Sequence, residues 1–206
     1  MLTALLLFTA FLLTRVSRLR IAVQLLLVQS LAVAVACVWS GFESGAAYPW
    51  VAVAMTVAIK VGLVPVALFR VVGRMKEARE SQPLLSANRT SLAAALLLAV
   101  TYGLLDQTLP GVGLDMPFGA LALFLIGLLI MITRRQAVLQ IIGLIVLENG
   151  LYLVGFSMPR GLPIIIEQGI FFDLLIAVVV LGILQRRLRL AFLTKDTAPQ
   201  GRVKRC

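Results

Sequence analysis

The run RRQAVLQIIGLIVLENGLYLVGF, from Arg134 to Phe156, decides how the whole chain is to be read. It opens on a paired-arginine turn and continues as an apolar stretch of the length that crosses a ~30 Å hydrocarbon core as a helix. Glu148 and Asn149 interrupt it where the bilayer midplane falls. The next apolar run, IIIEQGIFFDLLIAVVVLGIL from Ile164 to Leu184, carries Asp173 at nearly the same depth. An acid at the centre of a membrane helix is costly, by roughly 3 kcal/mol on insertion scales, and such residues mark ion pathways, proton relays and counter-charges. Two readings fit each acid: a group that passes protons, or a protonated group that hydrogen-bonds a neighbouring helix.

Composition agrees with a membrane chain. Of 206 residues 61% are hydrophobic and 14% charged, whereas a soluble domain is about a quarter charged. The mean hydropathy is +1.03. A basic balance of 19 Lys and Arg against 9 Asp and Glu suggests nucleic acid in a soluble protein. Here the charges sit in short loops and a tail between apolar runs, so membrane topology accounts for them and no nucleic-acid partner is expected. There is no histidine, and the two cysteines, Cys37 and Cys206, are far apart in sequence. Haem, iron–sulfur and zinc sites need ligand sets that this chain lacks, and no glycine-rich phosphate loop or nucleophile elbow is present. No cofactor, metal site or catalytic residue is therefore expected in this chain. Any redox centre it serves belongs to other subunits.

Lipid leaves only helices or closed barrels for spanning segments, and the apolar runs show no strand alternation. The expectation is an all-α polytopic transmembrane bundle of seven spans, at approximately 2–15, 21–40, 50–73, 91–108, 118–133, 136–156 and 164–184. The first, MLTALLLFTAFLLTR, has its charges after the apolar run, unlike a signal peptide. It is short for a full crossing, so an edge position or a thinned patch of bilayer is expected for it. Arg15, Arg18 and Arg20 follow the first span. Arg70, Arg74, Lys76, Arg79 and Arg89 surround the loop after the third, and Arg134 and Arg135 follow the fifth. Arg186, Arg187, Arg189, Lys195, Arg202, Lys204 and Arg205 follow the seventh. Seventeen of the 19 basic residues thus fall on one face, which the positive-inside rule makes cytoplasmic, N-terminus out and C-terminus in. The chain divides into a three-helix part (1–73), a connector (74–90), a four-helix part (91–187) with a three-helix core at 118–187, and a basic tail (188–206). Cys206 at the tip of that tail reads as a plain terminal thiol.

Other polar residues lie inside the spans. Lys60 stands near the centre of WVAVAMTVAIKVGLVPVALFRVV, with Pro65 a turn and a half later. Proline removes a backbone donor and kinks a helix, and a lysine there serves as a relay, as the counter-charge of an acid, or as half of a structural ion pair. Gln140, Leu144, Glu148 and Tyr152 recur at i, i+4 and share a face, with Asn149 beside them. Gly143 and Gly150 form a second, small face that permits close helix contact. Gln29 and Ser30 lie at mid-depth of the second span, where they bridge helices or hold water. Gly169, Asp173 and Ala177 put small residues around the second acid.

The run RRQAVLQIIGLIVLENGLYL, with the acid in the following helix and the cluster Gln185-Arg186-Arg187 after it, resembles the small three-helix subunit shared by respiratory complex I (NuoK type) and multisubunit cation/proton antiporters (MrpC type). The likeness covers residues 118–187. In that family the acid directly follows Gly-Leu; here Ile145 takes that place and Glu148 comes one turn later. With its extra N-terminal spans and the Lys60–Pro65 element, the full chain looks like component E of hydrogenase-4-type complexes, membrane-bound nickel–iron hydrogenases related to complex I. The resemblance implies a multi-pass subunit of a bacterial or archaeal inner membrane, partnered by antiporter-like and NuoH-like subunits in an oxidoreductase complex. With it, Glu148, Asp173 and Lys60 are expected as proton-relay groups, and the spacing and depth read above add Gln140, Asn149, Tyr152 and Gln29 as relay or helix-bridging residues. A non-conducting scaffold that docks antiporter-like subunits, or a subunit of a cation/proton antiporter, are the alternatives.

Overall fold

The structure, a computed structural model, describes residues 1–44, 50, 53–54, 56–75, 83–108, 115–157 and 182. The seventh expected span with Asp173, and the basic tail with Cys206, lie outside the described residues. The fold is all-α. Its helices are α1 (Leu2–Arg15), α2 (Leu19–Ser44), α3 (Val64–Gly73), α4 (Ala87–Thr108), α5 (Asp115–Thr133) and α6 (Ala137–Ser157), and a π-helical segment, Val57–Leu63, runs directly into α3. Four of them, α2, α4, α5 and α6, are long and apolar enough to cross a membrane, and α1 is a shorter apolar helix. Together with the chain's composition, this makes the protein a membrane protein.

Several boundaries move outward from those expected, each for a local reason. Helix α4 begins at Ala87 instead of 91 because Ser86, a residue type favoured at helix starts, takes the N-cap position; its carbonyl accepts the Thr90 N–H at 3.0 Å. Helix α5 begins at Asp115, so Pro117 is not a loop residue. It sits in the first helical turn, where a missing N–H leaves no bond unmade.

The tightest pair is α5 against α6. A methyl group added at Gly127 would lie 2.5 Å from the Leu147 nitrogen and 2.6 Å from the Gly143 carbonyl oxygen. One added at Gly150 would lie 2.7 Å from the Ala120 carbonyl oxygen. The two backbones therefore meet directly, as small residues allow between membrane helices, and the Gly143–Gly150 face is the one that makes the contact.

Helix α1 buries one face and exposes the other, on which Leu5 and Phe8 lie. It packs against α2, α4 and α5, burying Leu6, Thr9, Ala10, Leu13 and Thr14 at the i, i+3 and i+4 spacing of one helical face. Thr9 and Thr14 turn their hydroxyls back onto carbonyls of their own helix.

Three basic turns meet at one end of the bundle. The buried Arg134 donates from Nη2 to the Thr14 carbonyl at 2.5 Å, a guanidinium at the negative end of the α1 dipole. The Leu84 N–H bonds the Thr133 carbonyl at 3.0 Å, and Thr14 and Ser91 share a hydroxyl contact at 3.3 Å. The end of α1, the start of α4 with the chain just before it, and the α5–α6 turn are thus tied together, with Arg15, Arg89 and Arg134 on them.

Candidate functional site

Pro65 shapes the local backbone first. It has no N–H, and its ring crowds the carbonyl four residues earlier, which disfavours the ordinary α-helical register through this turn. The chain widens to a π-helix over Val57–Leu63, and the Val64 N–H reaches five residues back to the Ile59 carbonyl. Such widened turns recur at functional sites. Lys60 lies in this one and is only 2% exposed.

The elements around Lys60 supply three partners for its ammonium. Nζ lies 3.1 Å from Glu148 Oε1 on α6, whose side chain is fully buried, and the two form an ion pair. The directed hydrogen bond goes to Asn149 Oδ1 at 3.0 Å. On another side Nζ sits 4.0 Å from the centroid of the Tyr152 ring, a cation–π contact that gains strength where water is excluded. Tyr152 is held in turn by its hydroxyl, 3.2 Å from Thr56 Oγ1. Lys60 lies ~20 Å along the helix from Gly73, and Glu148 lies ~17 Å from Ala137, both at the arginine-rich end. The pair therefore sits ~17–20 Å from that end of the bundle.

This arrangement has a definite proton chemistry. The pair is neutral overall with the proton on Lys60 or on Glu148, so a shift between them moves charge without creating any. A proton added to Glu148 from elsewhere leaves one positive charge in the low-dielectric core, stabilised by Asn149 and the Tyr152 ring.

The other expected residues fall in different places. Gln29 is fully buried on α2 and donates from Nε2 to the Leu6 carbonyl of α1 at 3.1 Å, a helix-bridging position. Gln140 is not in the cluster. It donates from Nε2 to the Arg134 carbonyl at 2.9 Å and secures the α5–α6 turn, about 12 Å along the helix from Glu148. Asp173 lies outside the described residues.

The chain is 35% identical over 139 residues to the uncharacterized protein Rv0085 of Mycobacterium tuberculosis, covering 66% of this chain and 63% of that one. It is 36% identical over 100 residues to hydrogenase-4 component E of Escherichia coli, covering 47% of this chain and 46% of that protein. The same figures hold for hydrogenase-4 component E of Shigella flexneri. The chain spans less than two thirds of the length of each of these relatives. No family model and no solved structure matches it.

Two residues of structural weight escape the sequence patterns. Thr56 stands one helical turn before Lys60, and that i, i+4 spacing was its signal. Arg134 reads as a topology marker in the sequence, yet its side chain is 1% exposed. Nothing local distinguishes it from its exposed neighbour Arg135.

Proposed function

We propose that this chain is a membrane-arm subunit of a complex I-related, membrane-bound nickel–iron hydrogenase of the hydrogenase-4 type, in which the Lys60–Glu148 pair is a station on an intramembrane proton path. The observation that carries this reading is the pair itself: a buried lysine and a buried glutamate, 3.1 Å apart, at mid-depth of a helical bundle. Intramembrane ionisable residues that pair with one another are a feature of proton relays. The similarity to hydrogenase-4 component E supports the choice of complex. In this reading Asp173 is a second relay carboxylate, Asn149 and Tyr152 hold the Lys60 charge while the Glu148 proton changes, and redox catalysis belongs to partner subunits. Those partners are antiporter-like and NuoH-like membrane subunits. The chain lies in an inner membrane with its arginine-rich end cytoplasmic, and a thiol label at Arg18→Cys or Arg135→Cys reacting from the outer face would reverse that orientation.

The experiment is proton uptake by reconstituted vesicles, normalised to assembled complex. Glu148→Gln removes the exchangeable proton and keeps the shape and an oxygen near Lys60; it abolishes uptake. Glu148→Asp keeps the charge with a shorter reach and retains part of the activity. Asp173→Asn weakens uptake. Wild-type uptake by both neutral variants selects instead a non-conducting scaffold, in which the pair is structural.

A further inference from the structure

Six buried hydroxyls on these helices satisfy themselves. Thr9, Thr14, Thr90, Ser91, Thr101 and Thr133 each donate to a carbonyl three or four residues back on their own chain. Ser30 on α2 is just as buried, at 1% exposed, and its hydroxyl has no hydrogen-bond partner among the described residues.

Gln29, beside it on α2, and Asn149, on α6, carry complementary unmet groups. The carbonyl of Leu6 can only accept, so the amide of Gln29 must present Nε2 to it, and Oε1 is left as a buried acceptor without a partner among the described residues. The ammonium of Lys60 can only donate, so Asn149 must present Oδ1 to it, and Nδ2 is left as a buried donor in the same condition. Both amide orientations follow from the chemistry of the partner. The unmet set is thus one acceptor, one donor and one hydroxyl able to act as either.

These groups lie at one level. Gln29 and Ser30 are ~15–17 Å along α2 from Leu19, and Asn149 is ~18 Å along α6 from Ala137. Both starting points are at the arginine-rich end, and α2 packs against both α6 and the π-helical segment. Buried water is found where unmet polar groups of this kind face one another, with about three hydrogen bonds to each molecule.

We infer that Gln29, Ser30 and Asn149 bind one or two ordered waters between α2 and α6, which extend the Lys60–Glu148 station sideways toward α1. The water site stands on the unmet groups alone. Its place on a proton path rests on the function proposed above. Water takes a hydrogen bond from Asn149 Nδ2, gives one to Gln29 Oε1, and exchanges one with Ser30.

The test uses the assembled complex in a lipid nanodisc, with a cryo-electron microscopy map sharp enough to show water, and the vesicle uptake assay. The expected results are ordered density within hydrogen-bond distance of Ser30 Oγ and of Gln29 Oε1 or Asn149 Nδ2, and uptake slowed roughly three- to tenfold by Ser30→Ala, the scale of one lost hydrogen bond. Ser30→Thr, which restores the hydroxyl, recovers uptake. A dry contact between α2 and α6 overturns the water site. Density with wild-type uptake by Ser30→Ala keeps the site and removes it from the path. Wild-type uptake by Glu148→Gln in the same assay removes the path itself and leaves the density to decide the water site.

Discussion

Lys60 Nζ lies 3.1 Å from Glu148 Oε1, with the two side chains 2% and 0% exposed. The two residues come from the π-helical segment and from α6, far apart in the chain, and each is the nearest opposite charge that the other is shown to meet. A buried pair of this kind contributes little net stability, because desolvating two ions offsets most of their attraction. Breaking it is another matter, since one charge is then left in the core. Lys60→Met alone, or Glu148→Leu alone, should cost about 3–5 kcal/mol, read as thermal unfolding of the purified chain in detergent. The double variant Lys60→Met/Glu148→Leu should recover most of that loss and still take up no protons. A double variant as unstable as the sum of the two singles would show that the residues do not act as a pair. Glu148→Gln should be milder than Glu148→Leu, because the glutamine amide oxygen still accepts from the Lys60 ammonium where leucine offers no acceptor.

The glycines of α5 and α6 make a second, separable test. Gly127→Ala pushes a methyl group against backbone atoms at 2.5 and 2.6 Å, and Gly150→Ala does so at 2.7 Å. Backbone cannot step aside as a side-chain tip does, so each should destabilise the fold by about 1–3 kcal/mol. Gly103→Ala on α4 meets nothing within 4 Å and should instead stabilise the helix by about 0.5–1 kcal/mol. Thermal unfolding in detergent reads all three. An equal loss at Gly103 would mean that helix flexibility, not helix contact, governs these positions.

How far the sequence carried the structure depends on whether a feature is local. The Gly143–Gly150 face was legible because seven residues return to the same side of a helix, and the contact is made by that face alone. The pairing of Lys60 with Glu148 was not, because no periodicity links two helices so distant in the chain. Lysine beside a proline suggested a relay, a counter-charge or a structural pair, and only packing supplies the partner. The i, i+4 stripe grouped Gln140 with Glu148, but Gln140 is exposed in the first turn of α6 and bonds the Arg134 carbonyl, while Glu148 is fully buried. Pro65 announced a disturbance of the helix without saying that the turn would widen.

The widened turn leads to the last prediction. In this segment the Val64 N–H reaches the Ile59 carbonyl, five residues back, while Pro65 contributes no N–H at all. Alanine at position 65 supplies a donor and removes the ring that crowds the Val61 carbonyl, so the ordinary four-residue register becomes available. Closing a π turn into an α turn removes one residue from the winding, and each residue of an α-helix turns the chain by about 100°. Every residue on the N-terminal side, Lys60 included, then swings relative to α3. Pro65→Ala should therefore keep Lys60, Glu148, Asn149 and Tyr152 intact and still lower proton uptake by roughly tenfold or more, a barrier change of ~1.4 kcal/mol. Its thermal stability should not fall in step, since a proline has been removed from a continuous helix. Uptake and unfolding measured on the same preparation decide it. Wild-type uptake by Pro65→Ala would mean that the packing of α2 and α6, not the proline, holds the turn open and aims Lys60 at its acid.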